Sequence, residues 1–188
     1  TMLIIEALKL IGNKTFSIKN EVAERIGKIR KVASKPSDEK TLEYGTPGEQ
    51  ALKVAQLVQG AQDKVMELAR LRHAVYLLNV TTSITIRVDD QDVTKSVDHW
   101  IHRKDTGIPL ERQILTEGLK DVPISRDRIV EVSDGKGGVV KELVQLVRYY
   151  DVATKDKALE VLLEEERAIE SALDRFNCTT EIPADLLS

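Results

Sequence analysis

The sequence has one cysteine, Cys178, so it holds neither an internal disulfide nor a cysteine-rich zinc cage. A single thiol suits a reducing cytoplasm, which is the expected compartment. Aromatic residues are scarce, at 4% of 188 residues, so aliphatic side chains must build the core. No apolar run approaches the ~20 residues that span a bilayer. The short run Met2-Leu3-Ile4-Ile5 has no basic region before it and Glu6 after it, which does not fit a signal peptide. Charge of one sign is also lacking: 28 Lys and Arg stand against 31 Asp and Glu, a net charge of −3. That excludes a strongly basic nucleic-acid binder. With 41% hydrophobic residues the chain is too apolar to be disordered. Neither a membrane nor a nucleic-acid polymer is expected as a partner.

What is present is helical patterning. Residues 3–33 read as helix, with a weak point at Gly12-Asn13. Ile18, Val22, Ile26, Ile29 and Val32 recur at helical spacing. Residues 34–48 hold two prolines and two glycines and read as a loop. Residues 49–79 form the second long helix, with a roughly heptad beat through Leu52, Ala55, Val58 or Gln59, Gln62, Val65 or Met66, Ala69, His73 and Tyr76. Together, 3–33 and 49–79 predict an antiparallel helical hairpin. The period then changes to two, predicting a strand at 82–88, a turn at 89–92 and a short helix at 93–104. Pro109 opens another short helix, 110–119. Strands are expected at 128–132 and 139–152, around the glycine-rich loop 133–138. A long helix at 154–177, with Thr154 as N-cap, closes the chain. The expected fold is α+β and helix-dominated, a single domain over 1–188 with a β-rich and short-helix insertion at 80–152.

Three stretches carry a resemblance. They are Glu6-Ala7-Leu8; Leu78-Asn79-Val80-Thr81-Thr82 with Thr85 and Asp92-Val93-Thr94; and Leu173-Asp174-Arg175-Phe176-Asn177-Cys178-Thr179-Thr180-Glu181. Together they resemble the septicolysin-like family of small helical proteins of bacteria and phages. In that family an Asn-x-Thr-Asn segment ends the second helix, a Thr-opened helix with an Arg-Asp pair follows, and the chain closes on Asn-Trp-Thr-Thr. This sequence departs at Thr82, where the second Asn would stand, and at Cys178, where the Trp would stand. The Arg-Asp pair falls near His99 to Ile101 without a gap. It falls at Arg103-Lys104-Asp105 if one turn is inserted. The resemblance implies a helical fold and occurrence in phages, and brings no settled activity. The family name suggests a pore-forming toxin, but no hairpin here is long enough to cross a membrane.

Read as one helix, 93–104 puts Val93, Val97, Trp100 and Ile101 on one face and Lys95, His99, His102 and Arg103 on the other. Lys, Arg and two His on one face suit phosphate oxygens. The competing reading is a solvated face balanced by acids such as Asp98. His99 and His102 also form H-x-x-H, but further ligands are too few, so no metal is expected. A second group, Asn79, Thr81, Thr82 and Thr85 with Asn177, Thr179 and Thr180, sits where long helices stop. Its hydroxyls and amides either satisfy local backbone groups or line a pocket, with Arg72 and His73 adding charge nearby. The glutamates of the last helix read as a solvated face. No catalytic residue and no cofactor are expected.

The leading expectation is a non-enzymatic homo-oligomer that binds a small anion, of nucleotide type. The ligand residues would be Lys95, His99, His102 and Arg103, with Asn79, Thr81, Thr85 and Arg72 secondary. In a virus such a protein would be a sponge for a host immune messenger, an anti-defence role. The alternative is a structural or adaptor protein of a phage particle or cellular complex, working through its helical hairpin. An enzyme acting on a phosphorylated small molecule comes third.

Overall fold

The computed structural model describes residues 2–13, 17–35, 42–121, 129–143 and 147–187. It is helix-dominated, with small antiparallel sheets. The elements are β1 (Met2–Leu3), α1 (Ile4–Gly12), α2 (Ile18–Val32), α3 (Pro47–Thr81), β2 (Ser83–Val88), β3 (Gln91–Ser96), α4 (Val97–His102), α5 (Ile108–Gln113), β4 (Ile129–Ser133), β5 (Val139–Leu143), α6 (Val152–Thr179) and β6 (Glu181–Ile182). They divide into two compact units. One holds Thr1–Thr85, Thr94–His99 and Ser171–Ser188; the other holds Ile86–Val93 and Trp100–Glu170.

In the first unit, the 35-residue α3 lies antiparallel to α2. Lys64 pairs with Glu21 at 3.3 Å, and Gln50 Nε2 donates to the Val32 carbonyl at 2.8 Å. The two helices thus run in opposite directions. The start of α3 follows from Thr46-Pro47-Gly48-Glu49. Thr46 Oγ1 accepts from the Glu49 amide, Glu49 returns a bond to the Thr46 amide, and Pro47 needs no N–H in the first turn. The helix expected over 3–33 divides at its weak point: α1 ends at Gly12, Asn13 is extended, and α2 begins at Ile18. The chain ends meet, β1 pairing antiparallel with β6 through Met2 opposite Ile182. Ile4, Ala7, Ile18, Leu71, Ala74, Val75, Val97, Phe176 and Ile182 are buried in this unit.

Four expected boundaries differ. Residues 93–96 are strand, and the helix starts at Val97. The cause is the two-residue turn Asp89-Asp90, where both residues have positive φ, 46° and 61°. That geometry folds the chain straight back into a paired strand. The expected strand 139–152 stops at Leu143 among the described residues, and Val152 already begins α6. Asp151, not Thr154, caps that helix: its carboxylate accepts from the amides of Ala153 and Thr154. Helix also continues beyond 104, where the short helix was expected to end. A π-helical turn, Arg103–Gly107, joins α4 to α5, with the Ile108 amide reaching back to the Arg103 carbonyl. Pro109 has no N–H and crowds the carbonyl four residues back, so a widened turn absorbs it.

The second unit buries Ile86, Trp100, Ile108, Leu162 and Ile169. The β4–β5 hairpin pairs Ile129 with Leu143 and Ser133 with Val139. Its loop is tied by Asp134, which accepts from the amides of Lys136 and Gly138 at 2.8 Å, while Gly135 and Gly137 supply positive φ. Arg128 and residues 144–146 lie outside the described residues. Asp121 binds Arg148 in a bidentate ion pair and accepts from Tyr150 Oη at 2.9 Å. These donors, Arg148 first, pull the Asp121 carboxyl down to about 2.

Candidate functional site

The residues expected to bind an anion are distributed over several elements. Lys95 is exposed on β3, so the helical spacing that aligned it with His99 does not apply to it. His99 and His102 are exposed on α4, and Arg72 is exposed on α3. Asn79 and Thr81 lie in the last turn of α3, and Thr85 lies in β2.

The hydroxyls are satisfied locally. Thr81 Oγ1 donates to the Leu77 carbonyl at 2.7 Å, and Thr179 Oγ1 to the Arg175 carbonyl at 2.8 Å. Thr85 and Thr94 share a cross-strand hydroxyl hydrogen bond of 2.7 Å. Such bonds are what short polar side chains make where helices and strands end. Asn79 Oδ1 is different: it is buried with no hydrogen-bond partner in the chain.

Arg103 has the most constrained geometry. Its Nε and Nη2 donate to the two oxygens of Glu165, each at 2.7 Å. Its Nη1 and Nη2 also donate to Glu111. The guanidinium is thus forked between two carboxylates, and Glu165 is only 8% exposed. Gly107 makes room for this: a Cβ there would sit 3.1 Å from Arg103 Nη1. The pairing holds Arg103 above its ordinary pKa, Glu165 contributing most, and pulls Glu111 below its own. Arg112 pairs with Glu166 in the same unit. The glutamates of α6, expected to be a solvated face, therefore include two that hold arginines. Sequence carried a signal for Glu165: it continues the spacing of Leu162, Ile169 and Leu173, and an acid on an apolar stripe needs a cation.

Beside this network is a cavity of about 610 Å³. Ile114, Leu115, Ala158, Val161 and Leu162 form its apolar wall, with Arg103, Glu111 and Glu165 on its polar side. Asp89 and Lys157 also line it, so a phosphate entering would meet three carboxylates against Lys157 and an arginine already held by two of them, a balance that opposes its binding.

A different surface runs the length of α3. The side with Val54, Leu57, Ala61, Lys64, Leu68, Leu71, Val75 and Leu78 is buried or half-buried. The heptad seam Leu52, Ala55, Gln59, Gln62, Met66, Ala69, His73, Tyr76 and Val80 is exposed at every position. Leu52 is 61% exposed, Met66 48% and Tyr76 57%. The sequence marked this seam from Leu52 to Tyr76, with Val58 beside Gln59 and Val65 beside Met66 as alternatives, and the fold leaves all of these exposed.

No family model matches the chain, and comparison with curated proteins and with solved structures finds no match. The resemblance to the septicolysin-like family rests on the short motifs alone, and no residue role is carried over from it. Among the described residues, no group of three or more His, Cys, Asp or Glu is placed to hold a metal ion. Among them, too, no helix is long and apolar enough to cross a membrane.

Proposed function

We propose that this chain is a non-enzymatic structural or adaptor protein, acting in the cytoplasm, whose α3 helix docks against another helix. The observation that carries the reading is the heptad seam on α3, exposed at every position on a 35-residue helix whose other side is covered. A long helix with a bare heptad seam is half of a coiled-coil contact. The arrangement of Arg103 favours this reading over small-anion binding. Its guanidinium already makes four hydrogen bonds to Glu165 and Glu111, so an anion would have to displace a carboxylate. The partner would be a component of a phage particle or a cellular complex.

The test compares the wild-type chain with Met66→Lys in cells that make the protein naturally, by native-gel mass. Met66 is exposed, so the substitution spares the fold. Wild type is expected in a complex larger than the monomer, and Met66→Lys outside it. Equal masses for the two would overturn the reading. So would strong thermal stabilisation of the purified chain by a nucleotide or phosphosugar that is lost in a variant of His99 or Arg72.

A further inference from the structure

We infer that the α3 seam pairs with the same seam of a second copy of this chain, in antiparallel orientation. The inference rests on the docking reading above and names its partner.

The seam is complementary to itself in one direction. Place a two-fold axis across α3 between Glu67 and Leu68. Met66 then meets Ala69 of the second copy, Gln62 meets His73, and Ala55 meets Val80. Two layers set a larger apolar side chain against a smaller one, while Gln62–His73 and Gln59–Tyr76 set polar groups together, and polar layers in a heptad seam specify register. The flanking charges agree. Asp63 and Arg70 occupy equivalent edge positions one heptad apart, on the same side of the seam. In the antiparallel pair each Asp63 lies beside Arg70 of the other copy, twice by symmetry. In a parallel pair the edge neighbours would be Val58 with Asp63 and Val65 with Arg70, which offers no opposite charges. The parallel pair would also set His73 against His73. Charge at these edges sets orientation in coiled coils, so the antiparallel pair is favoured.

The size suits a modest dimer. From Ala55 to Val80 the seam is about 37 Å long, at 1.5 Å per residue. A strip about 10 Å wide covers roughly 370 Å² on each copy, below the range of standard stable interfaces and in that of weak, transient ones, so dissociation in the tens of micromolar is expected.

The experiment uses the full chain in sedimentation velocity at 1 and 100 µM. Wild type is expected to shift from monomer to dimer across this range. Asp63→Arg and Arg70→Asp, tested singly, are each expected to weaken self-association at least tenfold, because like charges then meet. Mixed in equal amounts, the two variants should form a heterodimer, because the mixture restores both ion pairs. A wild type that stays monomeric at 100 µM overturns the inference, as does a mixture that fails to associate when wild type does. The docking reading fails separately. A purified monomer that still enters a larger complex in cells, and leaves it on Met66→Lys, overturns self-pairing and keeps docking. A monomer in both settings overturns both.

Discussion

Removing Arg103 tests whether the cation is structural. In Arg103→Ala, Glu165 loses both of its 2.7 Å hydrogen bonds while remaining only 8% exposed. Breaking a buried pair by deleting one partner costs ~3–5 kcal/mol, since the remaining charge is uncompensated. The cavity beside Glu165 gives the stranded carboxylate some access to water, which favours the lower end. Glu111 is 49% exposed, and its loss adds only the ~0.2–1 kcal/mol of an exposed pair. A total near 3 kcal/mol is a large share of a typical stability of about 5–15 kcal/mol. With a urea slope of about 2 kcal/mol/M, the midpoint should fall by about 1.5 M. Arg103→Lys should fall between, because it keeps the charge and loses the fork. Acid gives a second readout. Arg103 pulls Glu111 down, so the stabilisation it gives is present above the ordinary carboxyl pKa and is lost as pH falls through the lowered one. The gap between the two proteins should therefore hold steady above the ordinary carboxyl range and narrow as pH falls below it. A midpoint within about 0.2 M of wild type at pH 7 would refute the argument and return Arg103 to the pool of free cations.

Asp151→Ala should cost ~1 kcal/mol, measured by urea unfolding, because Asp151 accepts from two first-turn amides of α6; Thr154→Val should cost less if Asp151 is the cap. Asp90→Gly should raise the melting temperature by the equivalent of ~0.5 kcal/mol, because φ of 61° lies in the left-handed region, which glycine adopts freely and Asp at a modest cost. A melting temperature that falls would mean that the Arg87–Asp90 ion pair outweighs the backbone. Asp121 should titrate near 2 rather than near 3.8 when followed by carbonyl NMR, and its contribution to stability should be complete above about pH 4 and disappear as pH falls toward 2. In Arg148→Gln that midpoint should move up, since Arg148 is the largest cause of the shift.

The parts of the fold that repeat along the chain were legible. The second long helix, the strand expected at 82–88 and the final helix announce themselves through period, and each lies within a few residues of its expected place, whereas the helix expected over 3–33 divides into α1 and α2. The misplaced boundaries all involve a competition that period cannot see. At residues 93–96 a helical spacing of apolar residues was overridden by the Asp89-Asp90 turn, whose two positive φ values commit the next residues to a hairpin. At Pro109 a residue that usually starts a helix was absorbed by a π-helical turn. At 151–154 both Asp and Thr are good caps, and the one preceding the helix by a residue took the amides. The pairing of β1 with β6 joins segments of two residues each, too short for any periodic signal.

The candidate site was legible in a different sense. The Arg103–Glu165 pair spans 62 residues of sequence, so a helix-face argument that looks only at neighbours assigns Arg103 to solvent. The α3 surface is the opposite case, because its pattern is local but double. One stripe holds Val54, Leu57, Ala61, Leu68, Leu71, Val75 and Leu78; the other holds Ala55, Gln59, Gln62, Met66, Ala69, His73 and Tyr76. Period alone does not say which stripe meets α2. Burial energy does: each aliphatic side chain taken fully out of water contributes about 1.5–3 kcal/mol, and Gln or His contributes far less unless hydrogen-bonded. The aliphatic stripe is therefore the one turned inward, and the mixed stripe is left outside. A mixed stripe is poor material for a permanent core and good material for a contact that must find one register and separate again. Its glutamines and histidine cost nothing while solvated, and they become selective only when a matching seam covers them.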